Sequence, residues 1–274
     1  MKIVFSEKSL EYQSEGHPEN PARTKEAFNF LKKKGYEFIE ARLANEKNIL
    51  KVHSQTLVES LKKENFAPTT DCPKYKNVYE YARLSAGAAI IAARENAFSL
   101  MRPPGHHAGK SAFEGFCYLN NIAIAVKSLG KKTLIIDIDC HHGNGTQEIF
   151  LGSKDVIYLS LHREGEYPYT GHETVSNCHN YPLPNNCGDK EYISTLRTAL
   201  EKIRISDFEI VAISAGFDTY KDDPVSSLGL ESEAYEKIGR TIKSLGLPCF
   251  AVLEGGYNVE KLGENIHMLL KGLR

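Results

Sequence analysis

Short apolar runs alternate along this 274-residue chain with longer stretches in which apolar residues recur every three or four positions. The runs at 2–5, 97–100, 133–137, 156–161, 210–214 and 249–253 predict strands, since each is brief, rich in Val, Ile, Leu or Phe, and bounded by polar residues. The periodic stretches at 54–64, 79–96, 116–129, 190–205, 232–244 and 259–273 predict helices. Another helix should open at Asn20-Pro21, where Pro has no N–H to waste, and run to Lys34 before Gly35. Between two of these helices, residues 65–77 lack periodicity and carry two prolines, which predicts a loop. Strands alternating with helices imply a mostly parallel sheet covered on both faces, hence an α/β chain of three α/β/α layers. With no internal repeat and no low-complexity linker, residues 1–274 read as a single domain.

Two of the predicted strands lead into acids. After Leu134-Ile135-Ile136 comes DIDCHHGNGTQ (137–147), which places Asp137, Asp139 and His141 at alternate positions. Side chains at alternate positions of a strand point the same way, and Gly143 and Gly145 are expected to let the chain turn beyond the sheet. A second run, EIVAISAGFD (209–218), ends in Asp218. Asp139, His141 and Asp218 are thus delivered to one sheet edge, where ligands gather in open α/β sheets. Three protein ligands with a position left open describe a catalytic metal site better than a structural one. A third block, RPPGHHA (102–108), holds His106 and His107 in a stiff Pro-Pro-Gly loop after the strand ending at Leu100, and either imidazole can serve as a general base.

These blocks, with GFCYLNN (115–121), SLH (160–162), SAGFD (214–218) and LEGGYN (253–258), resemble the zinc-dependent histone deacetylase and acetylpolyamine amidohydrolase superfamily. They stand in family order over most of the chain, and GHPENPAR (16–23) and DCP (71–73) are similar to its N-terminal and substrate-loop signatures. The resemblance implies an arginase/deacetylase fold, with the cluster binding Zn2+ and Fe2+ or Co2+ as alternatives. It implies His107 as acid/base toward a zinc-activated water, and His106 as an electrostatic partner of Asp137. Tyr257 would donate to the oxyanion; relatives with histidine there are poor deacetylases. Asn144 stands where many members have an acid to orient the second histidine. Asparagine accepts a hydrogen bond without a full charge, so it is expected to raise the imidazole pKa less, as in the second class of eukaryotic deacetylases.

For the substrate, the resemblance implies Phe116 as one tunnel wall, the Gly115 carbonyl as acceptor for the scissile amide, Tyr167 as the opposite wall and Asp71 as the grip on a peptide backbone. Val225 lies where polyamine-selective eukaryotic relatives place glutamate, which favours acyl-lysine or another monocationic amide over acetylspermidine. A structural K+ or Na+ site is implied at Asp137, Asp139, His141, Ser160 and Leu161.

Composition narrows the setting. The 34 Lys plus Arg against 35 Asp plus Glu offer no basic field for nucleic acid. The N-terminus turns polar after four residues and no apolar run is long enough to span a bilayer, so no membrane partner and a cytoplasmic location are expected. Six cysteines without a CxxC pair read as reduced thiols. The sequence carries no marker of oligomeric state. The expected function is removal of acetyl or other acyl groups from lysine side chains of a peptide or protein. Alternatives are an acetylpolyamine amidohydrolase acting on an acetylated small amine, a binuclear manganese ureohydrolase, and a non-catalytic acyl-lysine binding module.

Overall fold

A computed structural model describes residues 1–274. In chain order the elements are β1 (Ile3–Phe5), α1 (Pro21–Lys33), β2 (Phe38–Glu40), α2 (Glu46–Ile49), α3 (Gln55–Lys62), α4 (Val78–Glu95), β3 (Phe98–Ser99), α5 (Asn121–Leu129) and β4 (Thr133–Asp137). There follow α6 (Asn144–Phe150), β5 (Val156–Arg163), β6 (Cys178–Leu183), α7 (Gly188–Glu201), β7 (Ile210–Ala215), α8 (Ser232–Lys243), β8 (Cys249–Leu253) and α9 (Val259–Gly272). The eight strands form one sheet in the order β2-β1-β3-β8-β7-β4-β5-β6, and every pairing is parallel. Helices α4 and α5 pack together over one face, and α1, α7, α8 and α9 form the layer on the other.

The central strands are apolar because both faces are covered. Leu134, Ile135 and Ile136 of β4 are fully buried, and each contributes roughly 1.5–3 kcal/mol by leaving water. Three of the predicted helix starts coincide with a side-chain cap. The Asn20 side chain accepts from Ala22 N at 3.0 Å, and those of Ser54 and Asn258 cap α3 and α9 in the same way.

Two strands escaped the sequence pattern, and both lie at the sheet edges. β2 is three residues long, and β6 reads CHNYPL, with a proline that only an edge strand tolerates. The expected helix at 116–129 begins instead at Asn121, because Gly115 and Phe116 hold positive φ angles of 56° and 68° and Asn120 caps the helix by accepting from Ala123 N. All six cysteines are free and buried.

Register aligns the strand ends that carry chemistry. Asp137 at the end of β4 sits opposite Ser160 of β5 and Ser214 of β7, and Ser214 opposite Val252 of β8. The chain from β3 crosses to β4 over the places later filled by β8 and β7. The loops leaving β3, β8, β7 and β4 therefore open side by side on one edge, the crevice where such sheets bind ligands.

Candidate active site

Asp139, His141 and Asp218 converge on this crevice, with one ligand atom from each lying within 4.8 Å of the others, and they are the only such cluster in the structure. The loop after β4 folds onto its own backbone to reach there. His141 N donates to Asp139 Oδ1 at 2.9 Å, and Cys140 N donates to Asp218 Oδ1 at 2.9 Å. Gly255 N, just after β8, donates to Asp139 Oδ2 at 2.8 Å, so three loops share one set of carboxylates. Asp218 Oδ2 is left buried without a hydrogen-bond partner, 2.9 Å from His141 Nδ1. A Cβ at Gly255 would come within 2.6 Å of both Asp218 Oδ2 and Asp139 Oδ2, so the bare backbone there makes room for the two acids.

This donor set fits a divalent cation. Burial and the charge of Asp139 push Asp218 up to about 6. Burial lowers His141, but Asp218 and Asp139 outweigh it and hold the imidazole well above its ordinary value. Two buried carboxylates with an unpartnered oxygen draw positive charge to this point, and carboxylate with imidazole suits Zn2+ and the neighbouring divalent metals.

Asp137 behaves differently from its two neighbours in the motif. Its Oδ2 accepts from His106 Nδ1 at 3.2 Å and from the Tyr158 hydroxyl at 2.9 Å, and its Oδ1 accepts from Asp139 N. The chain turns at Gly143 as expected, with Asn144 N donating to His142 O at 2.8 Å, but neither glycine needs a left-handed backbone to do it. Gly143 has an ordinary φ of −76° and Gly145 is not at positive φ. Their role is space: a Cβ would meet the Tyr158 hydroxyl at 2.5 Å at Gly143, and the His107 backbone at 2.5 Å at Gly145.

The adjacent histidines are driven apart in charge. Burial lowers His106, yet Asp139 and Asp137 outweigh it and push the imidazole up to about 10, which favours its charged form. His107 lies well below its ordinary value because it is buried beside His106 and His141. Its Nδ1–H donates to Asn144 Oδ1 at 2.8 Å, which leaves Nε2 as the basic nitrogen.

A cavity of about 230 Å³ leads to the cluster. Its lining includes all five substrate-site residues expected from the sequence, Asp71, Gly115, Phe116, Tyr167 and Val225, together with His106, His107, His141 and Tyr257. Phe116 meets the Tyr257 ring edge-on at 5.7 Å, and Tyr167 meets the His107 ring at 5.2 Å. Burial pushes the Tyr257 phenol well up, so it stays a donor. Asp71 and Glu166 put two acids in the wall, Glu166 paired to Arg163 at 3.1 Å. Ser160 and Leu161 lie on β5 beside the end of β4, and the Ser160 hydroxyl bonds to His162 Nδ1 at 2.9 Å.

The model of the histone deacetylase domain matches residues 17–273. The chain belongs to the histone deacetylase family. It is 38% identical to a probable deacetylase of Methanothermobacter thermautotrophicus, over 100% of this chain and 90% of that one. It is also 38% identical to acetylpolyamine amidohydrolase 1 of Pseudomonas aeruginosa, over 74% of this chain and 64% of that enzyme. Among solved structures, the HD domain of HDA15 superposes with a TM-score of 0.91 at 32% identity, covering 99% of this chain and 87% of that one. An acetylpolyamine aminohydrolase from Burkholderia pseudomallei gives 0.91 at 27% identity, covering 99% and 98%. The arginase/deacetylase fold and a hydrolase acting on amide bonds follow for this family member. No helix is long and apolar enough to cross a membrane.

Several residues of this site were not legible as such. Glu254, fully buried, accepts from Gly105 N at 2.7 Å, His106 N at 3.1 Å and the Ser214 hydroxyl at 3.1 Å, tying the histidine loop to β7 and β8. Asp223 accepts from Tyr257 N at 2.6 Å and Asn258 N at 3.1 Å. Within the GHPENPAR block, Arg23 Nε and Nη2 each donate at 2.6 Å, to Gly256 O and Glu254 O, and the guanidinium lies 4.6 Å from the Tyr257 ring centre. Arg102 is paired to Glu19 through bonds of 2.6 and 2.8 Å. Asn144 Nδ2 donates to Glu114 Oε1 at 2.5 Å.

Proposed function

We propose that this family member is a metal-dependent lysine deacylase, with Asp139, His141 and Asp218 holding Zn2+. The observation that carries the reading is geometric: one cavity that reaches this three-ligand cluster is lined by His106, His107 and Tyr257, with His107 bonded to Asn144 and His106 to Asp137. Zn2+ bound there would polarise the scissile carbonyl and lower the pKa of the attacking water. Neutral His107 accepts the water proton at Nε2 and returns it to the departing amine. Cationic His106, held by Asp137, keeps a fixed positive charge beside the reacting centre, and the Tyr257 hydroxyl donates to the oxygen as the carbon becomes tetrahedral. Phe116 and Tyr167 exclude water from an aliphatic chain between them, the Gly115 carbonyl receives the amide N–H, and Asp71 at the mouth takes the peptide backbone.

Val225, exposed at the cavity wall, offers no charge to a second ammonium and supports acyl-lysine as the substrate. The acids Asp71 and Glu166 in the same wall support the rival, an acetylated polyamine. The single cluster of three ligands supports one catalytic metal and speaks against a binuclear ureohydrolase. A structural K+ or Na+ at Asp137, Asp139, His141, Ser160 and Leu161 belongs to the same proposal. So does a cytoplasmic setting, which six unpaired cysteines suit.

The test is acetate release by zinc-reconstituted protein from an acetyl-lysine peptide and from N-acetylated spermidine and putrescine at equal concentration. Faster peptide turnover, abolished by a chelator, is expected. Preference for the polyamines would replace lysine as the substrate, and release unaffected by chelation would overturn the metal mechanism.

A further inference from the structure

Asparagine at position 144 creates an ambiguity that a carboxylate would not. Its amide has an acceptor on one side and a donor on the other, and a half-turn about the last side-chain bond exchanges them. With Oδ1 toward His107, the imidazole carries its proton on Nδ1 and keeps Nε2 bare for the substrate. With Nδ2 toward His107, Nδ1 becomes the acceptor, the proton moves to Nε2, and the ring can no longer act as a base.

Something must choose between the two, and the structure shows what does. The Glu114 carboxylate can only accept, and it takes Asn144 Nδ2 at 2.5 Å while Asn144 Oδ1 receives His107 Nδ1–H at 2.8 Å. Glu114 makes no ion pair that would draw it elsewhere. Its backbone is fixed beside the base: Glu114 O accepts from Cys117 N at 3.0 Å, and the next residue, Gly115, lies so close to His107 that a Cβ there would meet the ring at 2.5 Å.

We propose that Glu114 is a positioning residue that holds Asn144 with its oxygen toward His107, and so selects the Nδ1–H tautomer that makes His107 a base. Glu114 touches no reacting atom; it acts through Asn144. The inference rests on the reading of His107 as the base, and the chain Glu114–Asn144–His107 places a full negative charge one residue further from the imidazole than a direct aspartate would.

The test uses the whole protein with 15N-labelled histidine, the His107 signals being assigned by their loss in His107→Ala. In the native protein, His107 Nδ1 is expected as the protonated nitrogen and Nε2 as the bare one. In Glu114→Ala, signal from the Nε2–H form should grow. With zinc bound and acetyl-lysine peptide as substrate, Glu114→Ala should lower kcat by about tenfold at nearly constant KM, a fraction of the roughly 10²–10⁴ that a base contributes. In an Asn144→Asp background, which has no amide to turn, the same substitution should cause no loss. An unchanged tautomer in Glu114→Ala, or the same loss in both backgrounds, overturns the proposal. If the native protein releases no acetate at all, the deacylase reading fails, while the tautomer spectrum still decides the role of Glu114.

Discussion

Arg23 is the perturbation whose cost can be worked most fully from the structure. Its guanidinium is buried and makes bonds of 2.6 Å to the carbonyls of Gly256 and Glu254 and one of 3.2 Å to Glu19, under the ring of Tyr257. In Arg23→Ala the two carbonyls lose charged donors, each bond being worth about 1.5–3 kcal/mol. The ring loses a desolvated cation worth up to about 2 kcal/mol. Glu19 is not orphaned, because Arg102 still holds both its oxygens, so the full penalty of a buried unpaired carboxylate does not apply. The net expectation is a loss of about 3–5 kcal/mol, which lowers Tm by roughly 10 °C in a domain of this size. Because the lost bonds hold the segment that carries Tyr257, kcat should fall more than tenfold at temperatures where the variant is folded. Thermal unfolding followed by circular dichroism, with initial rates measured well below the variant's Tm, checks both. A Tm within about 2 °C of the native protein, with kcat unchanged, would refute the view that Arg23 supports the Tyr257 loop.

Other expectations concern single groups. Tyr257→Phe removes the proposed oxyanion donor and should cost about 10²–10³ in kcat while an acetyl-lysine peptide still binds, measured by steady-state rates and calorimetry. Asp218→Asn replaces the one ligand oxygen that accepts no hydrogen bond, and zinc retained after dialysis, counted by mass spectrometry, should fall from one per chain toward none. Burial holds His53 down at about 4, and its Nε2 accepts from Asn120 N at 2.9 Å, a bond that protonation would break. The unfolded chain binds that proton first, so stability from His53 is complete above about 6.5 and declines as pH falls toward 4. A Tm that stays level from pH 7 to 4 would argue against this.

What could be read from the sequence was whatever is local. β4 and β7 announced themselves because strands buried on both faces must be apolar throughout, and the ligands followed because they sit at the ends of those same runs. β2 and β6 did not, since an edge strand has one open side and tolerates the His, Asn and Pro of β6. The start of α5 was misplaced because Phe116 belongs to the predicted apolar period, yet takes a left-handed conformation to wall the cavity. The Glu114–Asn144, Asp223–Tyr257 and Arg23–Gly256 pairs join residues 30, 34 and 233 positions apart, and no pattern of spacing encodes such meetings.

The six buried thiols give the protein a set of internal reporters. Cys72, Cys178 and Cys187 are pushed up to about 12, 11 and 12 by burial, so the folded chain should resist alkylation at neutral pH until a segment opens. Four of them sit in different segments: Cys72 in the loop before α4, Cys178 on the edge strand, Cys187 before α7 and Cys249 on a central strand. The order in which mass spectrometry finds them labelled would therefore trace the order in which the molecule comes apart, with the native cysteines serving as the probes.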